Sequence, residues 1–320
     1  MLVKNLFENP EIKSPRKAYG ETLVELGSKN PNIVVLDADL SCSTQTAMFK
    51  KAFPDRFFNC GIAEQDMITT SAGLAYGGKT VFASTFAMFA TTRCLDQIRN
   101  TVCYSKLDVK VVATHGGITV GEDGASHQAL EDISYMRSIP DMRVIVPADC
   151  NEVEQVIKYA AVTPLPMYIR IPRTNLKTIF DKDYKFNPNA GIKLRDGKDL
   201  TIVTNGETLW EVLSAAQKLK EVGIEADVLH YPVVKPFHHL ALKASAQKTK
   251  KVVVVENHSV IGGLGSAVCE SLCHYAPSKV YRIGTKDTFG QSGEQRQLME
   301  FYGLTDKKIY EKIIKFMEVR

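Results

Sequence analysis

Short runs of β-branched residues alternate with stretches of helical periodicity along most of this chain. The runs have apolar residues at consecutive positions, which is typical of strands buried on both faces of a parallel sheet. Between them, segments 63–77 and 87–102 carry apolar residues at helical spacing. This alternation predicts an α/β fold. The predicted strands are NIVVLD (32–37), KTVFAS (79–84), KVVAT (110–114), RVIVP (143–147) and MYIRI (167–171).

The pattern lapses between residues 177 and 198, where Pro188 and several Asx and Gly turn signals interrupt a polar sequence. Such a segment is typical of an interdomain linker. We therefore predict two doubly wound α/β domains, at 1–178 and 199–320, joined by a linker at 179–198; the second is the smaller. Its predicted strands are 200–204, 225–230, 251–256 and 278–283, and its predicted helices are 207–222, 264–275 and further segments that close the chain.

Composition and charge exclude several classes of protein. Forty Lys and Arg against 36 Asp and Glu leave a net charge of +4, too weak for a nucleic-acid-binding surface. Seven cysteines without a Cys-x-x-Cys pair indicate neither a disulfide framework nor a zinc ribbon, and favour a reducing cytoplasm. The first residues lack a secretory signal pattern. The most apolar stretch, 81–90, is far shorter than the roughly 20 residues of a membrane helix, so no membrane association is expected.

The segment HGGITVGEDGASHQ (115–128) combines two histidines, two carboxylates and four glycines directly after a predicted strand. Loops at the carboxyl ends of strands are where α/β sheets bind ligands. The presence of His115, Asp123 and His127 in one such loop favours a binding site over isolated core or surface residues. Their spacing does not match that of zinc ligands. We therefore expect hydroxyl and phosphate recognition and no metal site.

Three other features each leave two interpretations open. Glu64, in NCGIAEQDM, lies in the first turn of an apolar helix, where its spacing alone favours an acid that complements the helix dipole over a functional carboxylate. Phe86 and Phe89, three residues apart in STFAMF, have a spacing that favours core residues over a stacking platform. IGGLGSAV (261–268) lacks a complete nucleotide-binding pattern, which favours a tight structural turn.

Six segments in this order resemble transketolase, and HGGITVGEDGASHQ is the most specific of them. The similarity covers the pyrimidine-binding and C-terminal domains of that family, and so almost the whole chain. The Gly-Asp-Gly motif by which transketolases bind the cofactor's diphosphate and metal does not occur here. The resemblance therefore implies the C-terminal subunit of a split transketolase. The segments are RKAYGETL (16–23), DADLSCS (37–43), GIAEQDM (61–67), STFAMF (84–89), ATHGGITVGEDGASHQALED (113–132) and IRIPRTNL (169–176).

The resemblance implies roles around thiamine diphosphate. Glu64 matches the glutamate that hydrogen-bonds the aminopyrimidine ring and activates the cofactor. Phe86 and Phe89 match the aromatic platform for that ring, and Thr92 stands where many relatives have a further aromatic residue. Asp39 matches an acid near the cofactor, although DADL is equally typical of a strand-end turn.

The resemblance also implies a site for sugar phosphates. Asp123 matches the residue that accepts hydrogen bonds from substrate hydroxyls, and His127 the catalytic histidine close to the reacting carbon. Guanidinium, hydroxyl and imidazole groups are donors that suit a phosphate dianion. The residues that match the phosphate-binding set are Arg16, Ser43, His115 and Arg173.

The implied activity is transfer of a two-carbon ketol unit from a ketose phosphate to an aldose phosphate, as in the pentose phosphate pathway. The resemblance implies an N-terminal partner subunit that carries the diphosphate domain and the magnesium or calcium ligands, in a heterotetramer of two plus two. A subunit resembling deoxyxylulose-phosphate synthase or a two-oxoacid dehydrogenase beta chain is one alternative, and a non-catalytic regulatory paralogue is another. For the second domain we expect a structural, dimer-supporting role, and for Lys248, Lys250 and Lys251 a solvated face.

Overall fold

A computed structural model describes residues 1–318. The first part of the chain contains eight strands and six α-helices before residue 179. The strands are β1 (Ile12–Lys13), β2 (Ile33–Asp37), β3 (Phe57–Asn59), β4 (Thr80–Phe86), β5 (Val109–Thr114), β6 (Arg143–Ile145), β7 (Met167–Ile171) and β8 (Leu176–Lys177). The helices are α1 (Pro15–Lys29), α2 (Ser41–Thr44), α3 (Ala47–Ala52), α4 (Glu64–Tyr76), α5 (Asp132–Ser138) and α6 (Cys150–Val162).

The remainder of the described chain contains six more strands and five more α-helices. The strands are β9 (Ile192–Arg195), β10 (Leu200–Thr204), β11 (Ala226–His230), β12 (Val233–Lys235), β13 (Lys251–Ser259) and β14 (Lys279–Thr285). The helices are α7 (Thr208–Glu221), α8 (His239–Thr249), α9 (Leu264–Tyr275), α10 (Gln295–Tyr302) and α11 (Asp306–Glu318).

The first sheet has seven strands in the order β12-β6-β7-β5-β4-β2-β3. All neighbours are parallel except β12, which runs antiparallel to β6. Phe86 lies opposite Thr114, and Thr114 opposite Ile171. The residues that follow β4, β5 and β7 therefore gather at one edge of the sheet, where parallel α/β sheets bind ligands.

Helices cover both faces of the first sheet because its strands are apolar on both sides. Ile33 and Val35 face a cluster that contains residues of α1 and α6, whereas Val34 and Leu36 face a cluster that contains residues of α4 and α5. This second cluster continues into the five-stranded sheet β14-β13-β10-β11-β9, where it includes Val252. The α/β fold class with two large, mainly parallel sheets is thus confirmed, and a small antiparallel sheet of β1 and β8 accompanies them.

The chain departs from the sequence prediction in two places. Segment 87–102 is not one α-helix, because two π-helical segments, Phe89–Arg93 and Gln97–Cys103, flank a break at Cys94. Segment 179–198, expected as a linker, buries Phe180 and contributes β9, which pairs antiparallel with β11. Lys248, expected on a solvated face, is exposed and also forms an ion pair of 2.9 Å with the buried carboxylate of Asp227.

Two expectations about the whole chain can be compared with the described residues. The seven cysteines, all within 1–318, form no disulfide. No helix in this range is long and apolar enough to cross a bilayer.

Candidate active site

Glu64 begins α4 and lies almost completely inside the protein. Gly61, at φ 69°, turns the chain into the helix, and the side chain of Glu64 is only 5% exposed. Its Oε1 accepts a hydrogen bond of 2.7 Å from Nη1 of Arg93. An acid in the first turn complements the helix dipole. Glu64, however, is buried and ion-paired, unlike a solvent-facing acid that only complements the dipole.

Arg93 joins Glu64 to the neighbouring aromatic residues. It ends the first π-helical segment, and its guanidinium carbon lies 4.1 Å from the centre of the Phe89 ring. Arg93 was not a predicted site residue, because its distance from Glu64 along the chain gives no signal of the contact. An open depression surrounds the pair and is lined by Ile62, Ala63, Gln65, Asp66 and Thr92.

Four rings meet at the carboxyl ends of β4 and β5. The His115 ring stacks on Phe86 with 3.8 Å between ring centres, and Phe89 stacks on Phe86 at 5.8 Å. His127 meets Phe89 edge-on at 5.3 Å. Phe86 is 7% exposed and Phe89 is half-buried. The two phenylalanines are therefore part of a mixed aromatic and imidazole wall rather than of the apolar core alone.

His115 is held as a neutral imidazole. Its backbone has φ 62°, and its Nδ1 lies 2.8 Å from Oγ1 of Thr114. Burial, and then the positive charges of Arg16 and Arg173, lower the pKa of His115 to about 3. A neutral imidazole retains one N–H donor. The arginines that lower this pKa converge on the same place.

Arg16 and Arg173 reach that place from different elements. Arg16, in α1, donates from Nη1 to the Ser43 carbonyl oxygen at 2.7 Å, while its Nε is buried without a hydrogen-bond partner. Burial, and then the charge of Arg173, hold the pKa of the Arg16 guanidinium below its usual value. Two cations close enough that one lowers the pKa of the other favour an anion between or beside them.

Arg173 also contacts the glycine-rich loop. It donates to the Val120 carbonyl oxygen and to Oε2 of Glu122 at 3.3 Å, and lies 3.8 Å from Oδ2 of Asp123. Asp123 is exposed, so its second oxygen can accept further hydrogen bonds. Glu122 was not predicted as a site residue, and its contact with Arg173 is visible only in the fold.

Asp39 lies on the rim of this sheet edge. Its backbone has φ 62°, and its amide and carboxylate both hydrogen-bond the side chain of Asn59 at 3.0 Å. Among residues 1–318, no hydrogen bond or ion pair joins Asp39 to Glu64. The buried carboxylate of Asp37 holds the adjoining turn by accepting from Thr44 and Thr46, and so places Ser43.

These residues fit one end of thiamine diphosphate. Two phenylalanine rings beside a buried carboxylate suit a flat heterocycle with a hydrogen-bonding ring nitrogen. The resemblance to transketolase implies a metal at the diphosphate end, and no cluster of three or more His, Cys, Asp or Glu in the described part of the chain could hold one.

Two family models match the chain. The transketolase pyrimidine-binding domain matches residues 13–178, and the transketolase C-terminal domain matches residues 190–309. The chain belongs to the transketolase family. The resemblance noted in the sequence is thereby confirmed, as is the order of the two transketolase domains.

Several transketolase relatives have nearly the same length as this chain. A putative transketolase C-terminal section from Methanocaldococcus jannaschii is 50% identical and covers 96% of this chain and 97% of its own. The 6-deoxy-6-sulfo-D-fructose transketolase subunit SqwH from Clostridium sp. (strain MSTE9) is 40% identical, with coverages of 92% and 91%. A solved split-gene transketolase, described as an inactive beta4 tetramer, superposes with a TM-score of 0.88 at 48% identity, over 95% of this chain and 98% of that one.

The glycine-rich turn before α9 belongs to the C-terminal domain and binds a carboxylate of the chain itself. Both oxygens of the buried Glu256 accept hydrogen bonds, from the backbone N–H groups of Leu264 at 2.7 Å and Gly265 at 2.9 Å. An internal acid thus occupies the anion-binding helix N-terminus. This geometry agrees with the prediction of a structural turn.

Proposed function

We propose that this chain is the C-terminal subunit of a split, thiamine diphosphate-dependent transketolase that transfers a two-carbon ketol unit between sugar phosphates. The proposal rests on the arrangement of side chains at one edge of the seven-stranded sheet. It combines a buried carboxylate (Glu64), an aromatic wall (Phe86 and Phe89) and a cationic corner (Arg16 and Arg173). An acid, a stacking surface and an anion site are the three elements that such a reaction needs from this half of the enzyme.

Glu64 is the proposed activating acid. The thiazolium ring of thiamine diphosphate would supply the chemistry of carbon–carbon bond cleavage. Since Oε1 of Glu64 accepts from Arg93, we assign Oε2 to the hydrogen bond with the pyrimidine ring nitrogen. Phe86 and Phe89 would hold the ring in place and exclude water from it. Asp39, on the rim, would face the cofactor from the subunit junction.

The cationic corner is the proposed site for the substrate phosphate. Arg16 and Arg173 would each donate charged hydrogen bonds, with the Ser43 hydroxyl beside them. His115, as a neutral imidazole, would donate one N–H. Asp123 and His127 lie on the same loop and would meet the sugar hydroxyls and the reacting carbon. Because Asp123 lies beside Arg173, its charge is partly offset near the phosphate.

A partner subunit would complete the site. No metal-holding cluster lies within residues 1–318, and relatives of similar length are described as a C-terminal section or as a split-gene product. We therefore propose an N-terminal subunit that binds the diphosphate and magnesium or calcium, in a heterotetramer of two plus two. The chain alone would be inactive, and we expect the assembly in the cytoplasm.

The decisive experiment isolates this chain from its native cells with whatever co-purifies. The complex is assayed with thiamine diphosphate and magnesium, with xylulose 5-phosphate or pyruvate as donor. A partner that carries Gly-Asp-Gly and supports ketol transfer only in the complex would agree with the proposal. Use of pyruvate would favour a deoxyxylulose-phosphate synthase or dehydrogenase subunit instead. A chain that emerges alone and binds no cofactor would favour a regulatory paralogue.

The cationic corner also suits sugars that carry a sulfonate in place of a phosphate. Arginine forks bind sulfonates as well as phosphates, and one relative is described as acting on 6-deoxy-6-sulfo-D-fructose. The same assay should therefore include that sugar. We expect sugar phosphates to be preferred, because a phosphate dianion carries more charge toward Arg16 and Arg173.

A further inference from the structure

The glycine-rich segment 115–128, here called the substrate loop, is shaped by the C-terminal domain. We propose that Asn257 in β13 is a positioning residue through which that domain sets the conformation of the loop. In this role the C-terminal domain contributes to substrate binding. The expected effect on KM rests on the proposed function.

The side-chain amide of Asn257 forms hydrogen bonds both with the loop and with its own domain. Its Oδ1 accepts from the Ile118 backbone N–H at 3.0 Å, and its Nδ2 donates to Oε1 of Glu207 and to Oγ1 of Thr119, the latter at 3.5 Å. Thr119 in turn donates to the same Glu207 oxygen at 2.9 Å. The carboxylate therefore fixes which way the amide faces, and the amide fixes Ile118.

The loop backbone packs closely against the side-chain amide of Asn257. Gly117 has φ 80° and ψ −173°, a conformation that essentially only glycine adopts. A Cβ at Gly117 would lie 2.4 Å from Nδ2 of Asn257, so the absence of a side chain is what lets the two approach. Asn257 itself is 3% exposed, and its carbonyl oxygen accepts from Arg170 at 3.0 Å.

A second set of contacts holds the other half of the loop. Nε2 of Gln128 donates to the carbonyl oxygens of Gly121 at 3.3 Å and Gln291 at 3.0 Å. The Ser292 hydroxyl donates to the Glu122 carbonyl oxygen at 2.5 Å. The loop is thus attached to the C-terminal domain on both sides of Asp123, and His115 and His127 stand at its two ends.

Without these contacts, little regular structure would hold the loop. Between His115 and Gln128 its regular structure is limited to a 3-10 segment, Ile118–Asp123, interrupted by a non-helical Gly121, and to a single β-bridge between Gly116 and Ala129. Four glycines make the unanchored segment costly to order. Small misplacements of substrate-binding groups reduce activity strongly. Loss of Asn257 should therefore weaken substrate binding more than cofactor binding, since Glu64 and Phe86 lie on other elements.

The test compares Asn257→Ala with Ser245→Ala. Ser245 is also buried in the C-terminal domain, where it hydrogen-bonds Thr201 and Asp227 rather than the loop. Amide hydrogen exchange of the full chain is measured first. We expect faster exchange across 116–124 in Asn257→Ala and no change there in Ser245→Ala. Unchanged exchange in both variants would overturn the inference, whatever the chain catalyses.

Kinetics of the assembled enzyme provide the second measurement. We expect Asn257→Ala to raise the KM for the ketose phosphate at least tenfold while the affinity for thiamine diphosphate stays within about twofold. An equal loss of both affinities would overturn the positioning role. If Asn257→Ala does not fold, Ser292→Ala tests the other anchor, with a smaller rise in KM expected and an unchanged KM counting against the inference. A wild-type complex without ketol transfer would contradict the proposed function while the exchange result still stands.

Discussion

Nη1 of Arg93 donates to Oε1 of Glu64 across 2.7 Å while the same guanidinium lies over the ring of Phe89. One cation thus ties the buried acid to the aromatic wall. The Arg93 side chain is 47% exposed, whereas that of Glu64 is 5% exposed. Solvent therefore screens one end of the pair but not the other.

Arg93→Ala should lower the free energy of unfolding of the isolated chain by about 1 kcal/mol, because it leaves a buried carboxylate unpaired beside a partly solvated depression. Arg99→Ala, an exposed arginine in the next π-helical segment, is the control. Urea unfolding of both variants measures the difference. In the Glu64→Gln background the effect of Arg93→Ala should shrink, and an unchanged effect would show that the ion pair is not its cause.

Glu64→Gln should abolish turnover of the assembled enzyme and leave assembly intact. An amide cannot exchange a proton with the pyrimidine ring nitrogen as a carboxyl group can. Subunit association is followed by size-exclusion chromatography and turnover by ketol transfer. Near-normal turnover would remove Glu64 from the mechanism.

Arg16→Ala should raise the KM for sugar phosphates by about 10–100-fold, since a hydrogen bond to a charged group contributes about 1.5–3 kcal/mol. Lys17→Ala is the matched control, because Lys17 follows Arg16 in the same helix and its side chain is 63% exposed. Added inorganic phosphate should inhibit the wild type more than Arg16→Ala. Equal KM values for the two variants would place the phosphate elsewhere.

His115 should make the chain less stable in acid. Its folded pKa of about 3 lies below the usual value of 6.5, so between these values the unfolded chain binds more protons. The contribution is complete above about pH 6.5 and is lost progressively as the pH falls toward 3. Unfolding in urea at about pH 7 and about pH 4.5, for wild type and His115→Gln, isolates this contribution. The variant should show the smaller loss, and parallel losses would contradict the assignment.

Gly117→Ala should destabilise the chain by about 1–3 kcal/mol, because the new Cβ meets Asn257 and the backbone conformation is one that alanine avoids. Gly73→Ala is the control, since Gly73 lies in α4 with no atom within 4 Å of the added Cβ. That substitution should stabilise by up to about 1 kcal/mol. Thermal or urea unfolding distinguishes the two signs.

Much of the fold was predictable, since burial on both faces leaves a direct signal in the sequence. The runs around Val35, Val112 and Ile169 are rich in consecutive β-branched and other apolar residues, and they form parallel strands of the seven-stranded sheet. The π-helical geometry of 89–103 gave no such signal, because the spacing of apolar residues there still resembles that of an α-helix. The strand β12 was missed because three residues carry too short a pattern.

The site was predictable only where the residues stand close in sequence or match a family motif. His115, Asp123 and His127 share one loop, and that proximity was visible. Arg93 and Asn257 act on residues 29 and 139 positions away along the chain. Such contacts depend on how elements pack, and a single sequence carries no direct signal of them.

The strand β12 couples the two halves of this chain through one sheet. It lies after the 179–198 segment, yet it completes the first sheet by pairing with β6. Cutting the chain at that segment would leave the edge of β6 unpaired and open to aggregation. A recombination event that exchanged one half for that of a relative would succeed only if both β6 and β12 still matched. The two family domains should therefore be inherited together rather than shuffled as independent modules.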